Sequence, residues 1–215
     1  LISLVGTNMV AFNKVAVSPF GSVFMLARMS ADGNVKSVLE KYCPEKKWNL
    51  CAWKDRLAKD SDVFMWDSTG PVWSHPGGPM GLAPEASEII ALTIRTRPLP
   101  LLWSAIQNTA TQLSMVKLGD TIHSDWLDIT VLKSVEKFFP AAELERYKNA
   151  HQVQGTMLER VSFVSMVGTY TVLVGFLLSL YIFFRALRAR DWTVLGFILL
   201  IWMGVLANAF ATGAL

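Results

Sequence analysis

Two stretches without a single charged residue, each 24 residues long, close this chain: Val161–Phe184 and Trp192–Leu215. As helices they reach about 36 Å each, enough to cross a hydrocarbon core of about 30 Å with some tilt. A buried helix pair inside a large soluble core is the alternative. Two such runs back to back favour a transmembrane hairpin, and the fold class expected is mainly α. Charged residues make up 17% of the 215 residues and hydrophobic ones 52%. The shortage of charge is unevenly spread: Leu1–Asn13 carries none either.

Arg185, Arg188 and Arg190 lie between the two runs, opposed only by Asp191. Short connections rich in Lys and Arg stay in the cytoplasm. This places residues 185–191 in a cytoplasmic loop and the segment before Val161 on the other face. Tyr181 and Trp192 flank the connection, where interfacial aromatics are expected. The implied organisation has five parts. Residues 1–13 are the outer end of a membrane helix whose beginning is absent, 14–160 a periplasmic helical domain, 161–184 a span, 185–191 the loop and 192–215 a second span. The expected location is the bacterial inner membrane, in a longer multi-spanning chain.

Between Lys14 and Arg160 stand 17 basic and 16 acidic residues, a balance with no basic face to suggest nucleic acid. The two cysteines, Cys43 and Cys51, lie in "YCPEKKWNLC". On an oxidising side of the membrane they are expected to pair, with two free thiols as the alternative. No further Cys or His lies near enough in sequence to complete a metal site, and neither metal nor cofactor is expected.

The pattern of this middle segment is helical. Ser18–Pro19 reads as a start signal and Gly33 as a stop, with Phe20, Val23, Phe24 and Leu26 on one greasy side. Asn34 is placed to cap the next helix. The Gly and Pro density from Gly70 to Pro84 predicts an irregular loop, a candidate for substrate contact, with Pro84 at the first position of the following helix. Ile89, Ile90, Leu92 and Ile94 recur on one face of that helix, which Pro98 and Pro100 then break. Leu102, Ile106, Thr109, Leu113 and Val116 mark another, closed by Gly119. Two short helices precede the first span, the second leading directly into it.

Chemistry-bearing residues are few. Asp55, Asp60, Asp62 and Asp67 offer carboxylates that suit a general base or a divalent cation, but their spacing does not match a calcium loop, and capping of the following helix by Asp60 and Asp62, with surface solvation, is the favoured reading. Asp60, Asp62 and Asp67 are retained as a candidate polar site. Trp66, Trp73 and His75 are the candidate ligand or partner contact, against a reading in which the tryptophans, Trp48, Trp53, Trp103 and Trp126 among them, pack a core. His75, His123 and His151 show no ligand spacing. Within the apolar runs, Thr171, Gly175 and Ser179, and Gly204, Asn208 and Ala211, form small-residue stripes suited to packing against neighbouring helices.

The segments "SPFGSVFMLARMSADG", "YCPEKKWNLC" and "DSDVFMWDSTGPVW" resemble a group of uncharacterised bacterial multi-spanning inner-membrane proteins with a helical periplasmic segment near the C-terminal end. The layout is similar to that of membrane glycosyltransferases using polyprenyl-phosphate sugars. The resemblance implies an envelope enzyme moving a sugar from a lipid-linked substrate, and it carries over no catalytic residue. The competing expectation is a non-catalytic structural or assembly subunit of a larger membrane complex. In either case the partners expected are the bilayer and other transmembrane helices.

Overall fold

The computed structural model describes residues 2–117, 119, 122, 124, 127 and 131–214. Among them all regular structure is helical. The helices are α1 (Ile2–Phe12), α2 (Gly21–Ala31), α3 (Lys36–Lys46), α4 (Ser61–Trp66), α5 (Gly78–Thr96), α6 (Pro98–Ser114), α7 (Lys133–Phe138), α8 (Ala141–Lys148), α9 (Met157–Ala189) and α10 (Trp192–Ala214), with a 3₁₀ helix at Asn49–Trp53. The chain divides into two compact units, one ending at Ser104 and one running Ala105–Ala214.

The first unit owes its core to α2 and α5. On α2, Val23, Leu26 and Ala27 recur at helical spacing and are fully buried. They meet Leu82, Ala86 and Ile89 of α5 and Phe64 of α4 in one apolar cluster. Thr93 is also fully buried, and its hydroxyl donates to the Ile89 carbonyl at 2.8 Å, so no polar atom there is left unsatisfied. Ile94 stands one residue further round and is 47% exposed, unlike the expected Ile89–Ile94 face. The buried stripe runs 82, 86, 89, 93, and a 100° step carries residue 94 out of it.

Several expected boundaries move. Asn34 does not cap α3: Val35 takes the N-cap position, and the Asn34 amide donates to the Ser104 hydroxyl at 3.0 Å. The irregular stretch after Gly70 is shorter than its Gly and Pro content suggests, because α5 begins at Gly78 and Pro84 lies inside it. Pro79 takes the opening turn, where a missing N–H costs nothing. α5 and α6 do break at the prolines, with Arg97 between them and its guanidinium bonded to Ser37. α6 ends at Ser114, short of Gly119, which lies beyond it with φ +84°. Its periodic residues do not all pack: Thr109 is buried, while Leu102, Ile106 and Leu113 are exposed.

In the second unit, α8 does not run into α9. Turns from Asn149 to Thr156, with Gly155 at φ +70°, separate them. Among the described residues, α9 and α10 are the two helices long and apolar enough to cross a membrane by length and composition. α9 is longer than its uncharged run. It continues through Arg185 and Arg188, which therefore sit in its last turns and not in a loop. Arginine is a good helix former, and its charge complements the carbonyl-rich C-terminus. The connection shrinks to Arg190, in the left-handed region at φ 55°, and Asp191. The Asp191 N–H donates to the Ala186 carbonyl at 3.0 Å, and its carboxylate accepts from the Val194 N–H at 3.1 Å. One residue thus closes α9 and caps α10.

Candidate functional site

Cys43 closes a disulfide with Cys51, their Cα atoms 5.6 Å apart. α3 stops at Lys47, whose φ of 53° reverses the chain, and the 3₁₀ helix then returns Cys51 alongside Cys43. Sequence reading missed what holds this loop against the domain. Glu85 and Glu88 stand one turn apart on α5 and both grip it. The Glu85 carboxylate accepts the backbone N–H groups of Asn49 at 2.9 Å and Leu50 at 2.8 Å. These are orphan donors of the 3₁₀ helix start, and a carboxylate suits them by charge as well.

Glu88 accepts the Trp48 indole N–H at 2.9 Å and the Lys46 ammonium at 2.7 Å. The hydrogen bond from Lys46, followed by that from Trp48, holds the Glu88 carboxyl below its ordinary range. The bond to Glu88 raises Lys46 in turn. A Glu-x-x-Glu pair on one helix face was the available signal, but its target, a loop some forty residues upstream, was not.

His75 lies beside this grip. Its Nδ1 is 2.7 Å from the Pro76 carbonyl oxygen. A carbonyl cannot donate, so Nδ1 carries the proton. Nε2 faces Glu85 at 4.0 Å, both side chains about nine-tenths buried. The ring and the Pro76 carbonyl also press on Gly81. A Cβ there would come within 2.1 Å of the Pro76 oxygen and 2.9 Å of His75 Nδ1.

The three candidate carboxylates do not converge on a common point. Asp60 is the N-cap of α4, accepting from the N–H groups of Asp62 at 2.7 Å and Val63 at 3.0 Å. Asp62 occupies the first turn of the same helix, where negative charge meets the positive dipole end. Asp67 accepts the Thr69 N–H and hydroxyl at 2.9 and 2.8 Å, an Asx turn. No three His, Cys, Asp or Glu residues gather into a metal-binding group among the described residues.

The aromatic candidates are divided. Trp48 is buried, whereas Trp66 and Trp73 are nearly half exposed. The Trp73 indole N–H is spent on the Met65 carbonyl at 2.8 Å. Phe24 meets Trp66 edge-on with ring centroids 6.3 Å apart and stacks on Phe20 at 6.0 Å. Phe20 packs against the core, while Phe24 and Trp66 keep aromatic surface exposed. Trp126 and His123 lie outside the described residues.

Of the small-residue stripes, Ser179 makes a hydrogen bond to the neighbouring helix. Its hydroxyl accepts the Trp202 indole N–H at 3.1 Å. A Cβ at Gly175 or at Gly204 would find nothing within 4 Å. The Thr171 hydroxyl returns to Val167 within α9, and the Asn208 carbonyl accepts from Thr212 within α10. Ala211 is exposed. The close approach is instead at Gly213, where a Cβ would lie 2.8 Å from the Asn108 carbonyl oxygen of α6. Near the hairpin connection the Arg185 guanidinium lies over the Tyr181 ring at 6.0 Å and donates to its hydroxyl at 3.3 Å.

Compared with protein-family models, curated proteins and solved structures, the chain finds no match.

Proposed function

We propose that this chain is an integral protein of the bacterial inner membrane whose disulfide-tied helical unit is a periplasmic contact module in a larger membrane assembly. α9 and α10 cross the bilayer as a hairpin, with Arg185, Arg188 and Arg190 at the cytoplasmic surface. Their apolar surface supports lipid as the solvent, for most of their large side chains are exposed. The disulfide supports an oxidising compartment for the rest of the chain. Gly175 and Gly204, with open space above them, suit the close approach of further transmembrane helices.

The observation that carries the contact role is how the polar and aromatic candidates are used. Asp60 and Asp67 are occupied in binding backbone N–H groups, while Phe24, Trp66 and Trp73 present aromatic surface. Aromatic residues of this kind are enriched in protein contact surfaces. Sugar transfer from a lipid carrier rests on the layout of the spans and draws on no residue of this arrangement.

Two measurements test the reading. A cysteine at Lys54, labelled in intact spheroplasts by a membrane-impermeant maleimide, is expected to react at once, and one at Arg190 only after lysis. The reverse pattern overturns the topology. A photoreactive residue at Trp66 is expected to cross-link to one defined membrane-protein neighbour, and the same probe at Glu40 is not. Equal products at both positions, or none at Trp66, overturn the contact role.

A further inference from the structure

A cleft of about 340 Å³ opens where the chain after α6 lies along the first turns of α9. Its walls include Lys117, Leu158, Ser162, Met166, Thr169 and Tyr170. The Thr169 hydroxyl oxygen lies 3.4 Å from the Val116 carbonyl oxygen, at the level where Lys117 approaches the helix.

The depth of this cleft follows from helix length. α9 has 33 residues, about 50 Å, which exceeds the hydrocarbon thickness by about 20 Å. With Arg185 and Arg188 at one surface, counting about 20 residues back from Phe184 brings the opposite edge of the hydrocarbon to about Ser165. The cleft therefore straddles the outer headgroup layer. By the same count Thr169, and with it the backbone of Val116, lies about 6 Å inside that edge, a depth from which an extended lysine side chain such as that of Lys117 still reaches the headgroups.

Its chemistry is mixed in a particular way. Lys117 supplies a cation that suits a phosphate. Ser162 and Thr169 have spent their hydroxyl hydrogens on backbone carbonyls, those of Glu159 at 2.7 Å and Ser165 at 2.8 Å. Their oxygens offer lone pairs, not donors. Such a wall favours a ligand that has N–H or O–H groups of its own beside a phosphate. Leu158 and Met166 provide apolar contact for the glycerol and upper chain region.

We propose that this cleft binds a membrane phospholipid whose headgroup carries a hydrogen-bond donor beside its phosphate, as ethanolamine and glycerol headgroups do and choline does not. The proposal rests on the membrane reading above. The full chain, purified in detergent, would be mixed with phosphatidylethanolamine, phosphatidylglycerol or phosphatidylcholine and the adducts counted by native mass spectrometry. The wild-type chain is expected to retain one ethanolamine or glycerol lipid under activation that strips phosphatidylcholine. Lys117→Gln should lower the retained fraction at least fivefold and Lys117→Arg should preserve it. The pair Ser162→Ala and Thr169→Val should abolish the preference over choline while leaving Lys117-dependent binding. Equal retention of all three lipids by the wild type overturns the proposal, as does a Lys117→Gln variant that binds like the wild type. Displacement by an equimolar amount of inorganic phosphate does so too, since it would show a site for phosphate alone. Maleimide labelling of the same chain in its membranes separates the two readings: a failed topology sinks the membrane reading, and an inserted chain without selective adducts sinks only this one.

Discussion

Trp202 of α10 donates its indole N–H to the hydroxyl of Ser179 on α9, 3.1 Å away, across the hairpin. The Phe183 ring lies 5.0 Å from the same indole, centroid to centroid. Trp202→Phe keeps most of the ring contact and removes the bond, so it should cost about 0.6 kcal/mol, the usual worth of an interhelical bond in this setting. Ser179→Ala should cost a similar amount. A double-mutant cycle, read by denaturing-detergent titration of the full chain, should show the two losses to be non-additive. Additive losses would mean that the bond contributes nothing.

Gly81→Ala should be among the most damaging single substitutions in the first unit. The added methyl would sit 2.1 Å from the Pro76 carbonyl oxygen, a backbone atom that cannot swing aside. Overpacking of this kind costs about 3 kcal/mol. Thermal unfolding of the full chain followed by circular dichroism checks it. Gly6→Ala, where the Cβ meets nothing within 4 Å, is the matched control.

The Glu88 clamp sets a pH dependence at both ends. Glu88 is held below its ordinary range, so its contribution is complete above the unfolded carboxyl value and is lost as pH falls through the lower folded value. Lys46 is raised, so its contribution is complete below the ordinary lysine range and is lost as pH climbs through the raised folded value. Glu88→Gln should flatten both limbs of a urea-midpoint profile while leaving the neutral plateau lowered. A profile of unchanged shape would count against the clamp.

Reduction of the Cys43–Cys51 bond should destabilise the first unit by roughly 2.5 kcal/mol, from the loop-closure entropy of so short a ring. Alkylation of the native chain before reduction should modify neither thiol. Rapid modification of both would show that the bond is not formed in the cell.

Asp60→Ala should cost about 1 kcal/mol through loss of the α4 cap. Asp60→Asn should cost little, because an amide oxygen accepts the same two N–H bonds. If Asp60→Asn left folding intact but abolished a measurable activity, Asp60 would have to act as an acid or base and not as a cap.

The two uncharged runs, the arginines beside their junction and the two cysteines determined by themselves that this chain has a helical hairpin and a closable loop. Those features depend on local composition and short sequence separation. Even so, the hairpin turn was misplaced, because charge marks where an apolar run ends and not where a helix ends, and Arg185 and Arg188 are good helix formers. Asp60 as a cap was also legible, its partners being two and three residues away. Tertiary structure alone decided the rest. Glu85 and Glu88 gain their partners only when α5 lies against the disulfide loop. Gly81 reads as one more flexible glycine until Pro76 is pressed on it. Trp202 meets Ser179, and Gly213 meets Asn108, only once separate helices have packed. Hydropathy and spacing record which side chains avoid water, whereas a contact between distant segments depends on how their surfaces fit, and no local pattern encodes that.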